Sequence, residues 1–144
     1  MKIFVRKVRK NFGKLGEICH EAWIDCILNS GDKIEIFDPD CRIPTDIENH
    51  YIEILINIWH LKKTTSNKNS KTGTYLGLFK ISEEWLKLDK DLKKHSIEGK
   101  HAIQSNDGIF LVKPKYINDL SINIGEEINF YGTRYDLCAW HLIE

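Results

Sequence analysis

A strict alternation of isoleucine in the middle of the chain constrains the fold most. Between Tyr51 and Leu61, every second residue from Ile52 to Ile58 is an isoleucine. Side chains two residues apart lie on one face of a β-strand, so this segment is predicted to be a central strand. The intervening positions are half apolar, which is typical of a strand that is covered at least partly on both faces.

Similar alternation recurs elsewhere, and turn residues separate the segments. A last strand is predicted from Glu127 towards the end of the chain, with an interruption at Gly132. Glycine inside a strand often marks a bulge or the bend at a barrel corner. The other predicted strands cover residues 18–28, 33–37, 74–81, 101–105 and 109–113.

One segment has helical rather than strand spacing. Ser82 can cap a helix, and Glu83 and Glu84 in its first turn suit the positive end of the helix dipole. Apolar residues then recur at helical spacing from Trp85 onwards. The pattern predicts one helix over about 82–95.

The predicted fold class is mainly β (α+β). It is a small OB-like β-barrel or a curled antiparallel sheet, with one helix (about 82–95). The order of several strands, one helix and then more strands resembles that of the oligonucleotide-binding barrel. The resemblance concerns topology alone, and a fold does not fix a function.

The chain length of 144 residues fits a single domain, 1–144. Its basic N-terminal segment (1–14) holds six cations and no acid, which leaves 15 basic against 21 acidic residues in the remainder. This segment suits either a charged edge strand that resists edge-to-edge pairing or a surface that contacts phosphates. A polar, basic stretch at 64–73 is predicted to be a flexible loop.

Charge and hydropathy exclude some classes of protein. The formal net charge is zero, which argues against binding to nucleic acid mainly through net charge. No stretch approaches the roughly 20 apolar residues of a membrane-spanning helix, and the N-terminus lacks a secretory pattern. We therefore predict no membrane contact and a cytoplasmic location. Cytosolic reductants would keep all four cysteines as thiols, namely Cys19, Cys26, Cys41 and Cys138.

Recognisable catalytic motifs are absent from the sequence. It contains no phosphate-binding glycine loop, dinucleotide fingerprint or nucleophile elbow. Cys138 and His141 have the spacing of a metal-ligand pair, but residues three apart on a strand point to opposite faces. We predict no metal and no cofactor, and the sequence favours a non-enzymatic binding protein over an enzyme such as a small hydrolase.

Several aromatic and basic residues fall outside the predicted core. Because Ile24 and Ile58 would point into a barrel, Trp23 and Trp59 are expected to point outward. The alternative is that the helix or the N-terminal segment covers both tryptophans as a second small core. The predicted ligand-binding residues are Trp23, Trp59, Tyr131, Arg134 and Tyr135, with Trp23, Trp59 and Tyr135 on one face and Arg134 beside them.

Two kinds of partner suit such a face. Aromatic and arginine residues often anchor protein interfaces, and a protein partner is the preferred prediction because the net charge is zero. The protein would then be an inhibitor or immunity-type binding module. The alternative is a nucleotide or single-stranded nucleic acid, whose bases stack on aromatic rings at about 1–3 kcal/mol each.

Overall fold

The computed structural model describes residues 1–14, 16, 18–66, 68–92 and 96–143. The protein is mainly β, as predicted, and none of the helices in these ranges is long and apolar enough to span a bilayer. The strands are β1 (Lys2–Asn11), β2 (Glu21–Leu28), β3 (Lys33–Asp38), β4 (Tyr51–Trp59), β5 (Lys62–Lys63), β6 (Lys71–Leu78), β7 (His101–Ser105), β8 (Gly108–Val112), β9 (Glu127–Tyr131) and β10 (Arg134–Leu142). The helices are α1 (Glu83–Leu88) and α2 (Pro114–Asp119), with a 3-10 turn at Thr45–Ile47.

Five of these strands close into a barrel in the order β1-β2-β3-β10-β4, and β4 pairs back onto β1. The closing pair is antiparallel, with Ile3 opposite Ile52. The last strand, β10, runs parallel to β3 and antiparallel to β4. Closure removes the free edges of the sheet, which confirms the predicted barrel.

The segment between β4 and β10 forms a curled extension of the barrel. Strand β8 pairs in parallel with the end of β4, where Ile56 lies opposite Phe110. From β8 the sheet continues through β7, β6 and β9 to β5, which follows β4 along the chain after two residues. One end of the extension, β8, therefore pairs with β4, and the other end, β5, is linked to β4 by a short connection.

The isoleucines of β4 lie in the main core, as predicted. Ile54, Ile56 and Ile58 are fully buried among the inward side chains of the barrel. The opposite face of β4 contributes Leu55 to a second, smaller core, which also contains Ile97, Leu111, Cys138 and Ala139. Trp85 of α1 packs on this second core.

The predicted helix over 82–95 is corrected to α1 at Glu83–Leu88. Its start is as predicted, since the Ser82 hydroxyl accepts a hydrogen bond from the Trp85 amide. The helix ends early because the buried Asp89 carboxylate pairs with Arg42 and accepts the Asp91 and Trp140 amides. Residues 93–95 lie outside the described ranges.

A second helix, α2, was not predicted from the sequence. Pro114 occupies its first turn, where a missing amide hydrogen costs nothing and the fixed φ favours the helix. The predicted loop at 64–73 also ends earlier than expected, because β6 begins at Lys71. The basic segment 1–14 contains β1, which pairs with β4 over Lys2–Phe4 and with β2 over most of its length.

The prediction of four thiols is wrong for two of the cysteines. Cys19 and Cys41 form a disulfide, with their Cα atoms 6.2 Å apart, whereas Cys26 and Cys138 are free and buried. The bond joins the segment before β2 to the turn after β3. Nothing in the local sequence pattern of either cysteine indicates this pairing, which depends on the barrel bringing the two segments together.

Candidate functional site

A row of side chains crosses the outside of the barrel from β2 to β4. Trp23 of β2 lies opposite Phe37 of β3, and their ring centres are 4.8 Å apart. Phe37 in turn lies opposite Asp136 of β10, and Asp136 lies opposite Asn57 of β4. Directly opposed residues share one face of a sheet, so these four side chains belong to the same outer surface.

Arg134 lies between Phe37 of this surface and a further ring, Trp59 of β4. Its guanidinium carbon lies 4.5 Å from the centre of the Phe37 ring and 5.2 Å from the centre of the Trp59 ring. The Asp136 carboxylate accepts two hydrogen bonds from Arg134, at 2.6 and 3.1 Å. These bonds raise the pKa of Arg134, and they hold its flat guanidinium beside both rings.

Trp59 also has a second cation beside it. Lys113, just before α2, places its Nζ atom 5.0 Å from the centre of the Trp59 ring. Trp23, Phe37 and Trp59, together with Arg134 and Lys113, are called the aromatic row below. Its members come from four neighbouring barrel strands and from the extension.

All three rings of the aromatic row are half-buried, so each keeps part of its surface open to solvent. Among the described residues, neither Trp23 nor Trp59 belongs to the main core or to the second core under α1. Within the described residues, the helix therefore does not cover the two tryptophans as a second core, and the alternative of a cover by the N-terminal segment stays untested. That helix covers Leu55 and Cys138 instead.

Beside Trp59 lies a concave site of about 370 Å³, called the Asn57 pocket below. Its walls include Asn57 and Trp59 from β4 and Asp136 from β10, together with Lys100 and Lys113. Burial lowers the pKa of Lys100, and the nearby charge of Lys113 lowers it further. The remaining walls come from Pro39, Asp40, Arg42, Ser96, Leu137 and Cys138.

A larger cleft of about 690 Å³ lies between the start of β3 and the start of β10. Trp23 and Arg134 line it on one side, and Lys71 lines it from the extension. The Lys71 ammonium lies 3.9 Å from the carboxylate of Asp32, which is also in the wall. The cleft therefore meets the aromatic row at Trp23.

Tyr135 is placed differently from the expectation. It packs against the main core, with its ring centre 5.8 Å from that of Phe110, because adjacent strand residues point to opposite faces. Burial raises the pKa of its hydroxyl, which accepts a hydrogen bond from the Gly132 amide. Tyr135 reaches the edge of the 690 Å³ cleft, but it is not on the outer face with Arg134.

Tyr131 is exposed on β9, opposite Lys62 of β5. No ring contact between described residues joins it to the aromatic row. Of the five predicted residues, the structure therefore brings Trp23, Trp59 and Arg134 together, and it places Tyr131 and Tyr135 apart from them. The described residues contain no cluster of three or more side chains suited to hold a metal ion.

Phe37, Asn57, Lys100 and Lys113 were missed by the sequence analysis. Alternation carried one signal for Phe37, since it follows the inward Ile34 and Ile36 and so points outward. The two lysines gave no local signal, because they are far along the chain from β4. No protein-family model, no curated protein and no solved structure matches this chain.

Proposed function

We propose that this protein binds single-stranded nucleic acid along the aromatic row. The observation that carries the proposal is the position of Arg134, held by Asp136 between the rings of Phe37 and Trp59. Proteins that bind single strands combine aromatic rings, on which bases stack, with cations that contact the backbone. Arginine beside a ring also adds a cation–π contribution.

The topology of the barrel supports the same function. We propose that it belongs to the oligonucleotide-binding class, because the last barrel strand inserts between the third and fourth strands and runs parallel to the third. Barrels of this class bind oligonucleotides on the face of their second and third strands. In this chain that face carries Trp23 and Phe37.

Local charge supports the proposal although the net charge is zero. Phosphate contacts depend on the cations near the strand, and Lys100, Lys113 and Arg134 surround Trp59. These three cations outnumber the two carboxylates of the Asn57 pocket, Asp40 and Asp136. Binding would therefore weaken as salt rises, by counterion release.

A protein partner is the competing function. Tryptophan and arginine are also the residues that most often anchor protein interfaces, so the aromatic row alone suits an inhibitor or immunity-type module. The Asn57 pocket favours a nucleic acid, because a concave site with two lysines next to an aromatic ring suits a base and its phosphate. We also propose a non-enzymatic role.

The disulfide between Cys19 and Cys41 bears on the cellular location of the protein. A cytoplasmic location was predicted from the sequence, and disulfides are rare in the cytoplasm. The disulfide between Cys19 and Cys41 is typical of an oxidising compartment, and it weighs against the cytoplasm.

The test is the anisotropy of fluorescein-labelled single-stranded oligonucleotides, titrated with protein at low salt and again at higher salt. We expect saturable binding that weakens with salt, and a loss of about tenfold in affinity for Trp59→Ala and for Trp23→Ala. Tyr51→Ala is the matched control, since Tyr51 is an exposed aromatic residue of β4 that contacts Lys2 outside the aromatic row. Absence of binding by the folded wild-type protein would overturn the proposal.

A further inference from the structure

Two residues that line the Asn57 pocket each have a buried polar atom without a hydrogen-bond partner among the described residues. Asn57 is 5% exposed, and among the described residues its Oδ1 atom has no hydrogen-bond partner. The Arg42 side chain is 10% exposed, and its Nε atom likewise has no partner within the described chain. An unsatisfied buried polar group costs about 1–3 kcal/mol, so a hydrogen bond from a ligand to either atom would be favourable.

The charge of the pocket favours an anion. Arg42, Lys100 and Lys113 line it, together with the carboxylates of Asp40 and Asp136. Two of these groups have partners of opposite charge outside the lining, since Arg42 pairs with Asp89 and Asp136 pairs with Arg134. The lining itself contains three basic and two acidic side chains, an excess of one basic group.

The environment of Lys100 is a second feature of the pocket that favours an anion. Burial lowers its pKa, which means that the pocket disfavours its charged form when empty. The neighbouring charge of Lys113 acts in the same direction. An anionic group between the two ammonium groups would offset the repulsion from Lys113 and favour the charged form of Lys100.

Trp59 supplies the remaining feature. It forms part of the pocket wall and also belongs to the aromatic row. A flat base can stack on its ring within reach of the Asn57 side chain. Asn57 lies two residues before Trp59, on the same face of β4. The volume of about 370 Å³ lies in the range of small-molecule sites.

We infer that the Asn57 pocket binds one nucleoside monophosphate unit, with its base on Trp59 and its phosphate between Lys100 and Lys113. The Asn57 Oδ1 atom accepts a hydrogen bond from an amino group on the base. The unit is either a free nucleotide or one nucleotide of a bound strand, since both present the same base and phosphate. The inference rests on the proposed function for the second case only.

The test uses adenosine 5′-monophosphate, followed by quenching of tryptophan fluorescence. We expect saturable binding, and a loss of at least about fivefold in affinity for Lys100→Gln and for Asn57→Ala. Lys80→Gln is the matched control, because Lys80 is an exposed lysine outside the pocket. Adenosine and ribose 5-phosphate, which each lack one half of the ligand, should bind about tenfold more weakly than the complete nucleotide.

Two further comparisons distinguish the possible explanations of the result. Purine riboside 5′-monophosphate lacks the amino group, so it should bind more weakly to the wild type and equally to wild type and Asn57→Ala. Binding of the nucleotide that is unchanged in Lys100→Gln, or no binding by the folded wild type, would overturn the inference. If oligonucleotides bind but the nucleotide does not, only the pocket is refuted; if the nucleotide binds but oligonucleotides do not, only the proposed function is refuted.

Discussion

The guanidinium of Arg134 lies over the ring of Trp59, with 5.2 Å between the guanidinium carbon and the ring centre. The two residues are opposite each other on β10 and β4, so the register of these strands sets the contact. Asp136 fixes the guanidinium from the same strand. Binding of a ligand at this face should therefore depend on the planar shape of the arginine and on its charge.

Replacing Arg134 by lysine tests the role of its shape. Arg134→Lys keeps the charge, but it loses the two-bond contact with Asp136 and the flat contact with the rings. We expect oligonucleotide affinity to fall about tenfold by anisotropy, with a salt dependence close to that of the wild type. Arg6→Lys, at an exposed arginine of β1, is the control that should bind normally. Equal affinity for both variants would exclude a role for the planar guanidinium.

The pH dependence of nucleotide binding tests Lys100. The ammonium form binds phosphate, and its pKa is lowered by burial, so affinity should fall as the pH rises through that lowered pKa. Among the groups around it, Cys138 stays a neutral thiol, because burial raises its pKa to about 11, and Asp136 pairs with Arg134. Lys113 and Arg42 also line the site. Fluorescence titrations above about pH 7 should show the fall in the wild type and a smaller one in Lys100→Gln.

Ile56 tests the position of the barrel core. Ile56→Ala removes buried methyl groups from a fully buried side chain and leaves a cavity, so the free energy of unfolding should drop by about 2–5 kcal/mol. Urea denaturation measures this change. Leu142→Ala, at a residue that is 43% exposed, should cost less than about 1 kcal/mol. Similar losses for the two variants would be incompatible with this core.

The buried ion pair between Arg42 and Asp89 should contribute strongly to stability. Asp89→Ala leaves the Arg42 charge buried without its partner and removes the acceptor of the Trp140 amide. Loss of one partner of a buried pair typically costs about 3–5 kcal/mol, and the same urea experiment measures it. Asp91→Ala is the matched control at an exposed acid of the same turn. A small loss for Asp89→Ala would mean that the pair is not formed in solution.

The disulfide makes a prediction about thiol counts. In denaturant without reductant, only Cys26 and Cys138 should react, whereas all four cysteines should react after reduction. Cys19→Ser opens a bond that spans 22 residues, and this should lower the free energy of unfolding by about 3 kcal/mol. Four reactive thiols before reduction would contradict the bond, and they would restore the prediction from the sequence.

Alternation alone was sufficient to predict the barrel core and the outward direction of two tryptophans. The inward isoleucines of β4 fix which neighbours face outward, and Trp23 and Trp59 follow from that rule. The same rule excludes Tyr135 from the face of Arg134, since the two residues are adjacent on β10. The predicted interruption at Gly132 separates β9 from β10, which begins at Arg134 and leaves Arg134 and Tyr135 on opposite faces.

Contacts between distant segments could not be predicted in this way. Helix α1 ends just before Asp89, which pairs with Arg42, 47 residues away. The helical spacing of the residues beyond Asp89 therefore did not indicate that the helix ends there. Lys100 and Lys113 reach Trp59 only because β8 pairs in parallel with β4. Long-range pairings of this kind depend on the whole topology rather than on a local pattern.

The indole N–H signals of the four tryptophans provide the most direct test of the central claim, that single-stranded nucleic acid binds along the aromatic row. In a two-dimensional ¹⁵N–¹H spectrum titrated with an oligonucleotide, the Trp23 and Trp59 signals should shift in proportion to saturation. Trp85, on the second core, and Trp140, packed against the main core, should stay in place. Shifts confined to Trp85 and Trp140, or no shift at a saturating oligonucleotide concentration, would contradict the claim.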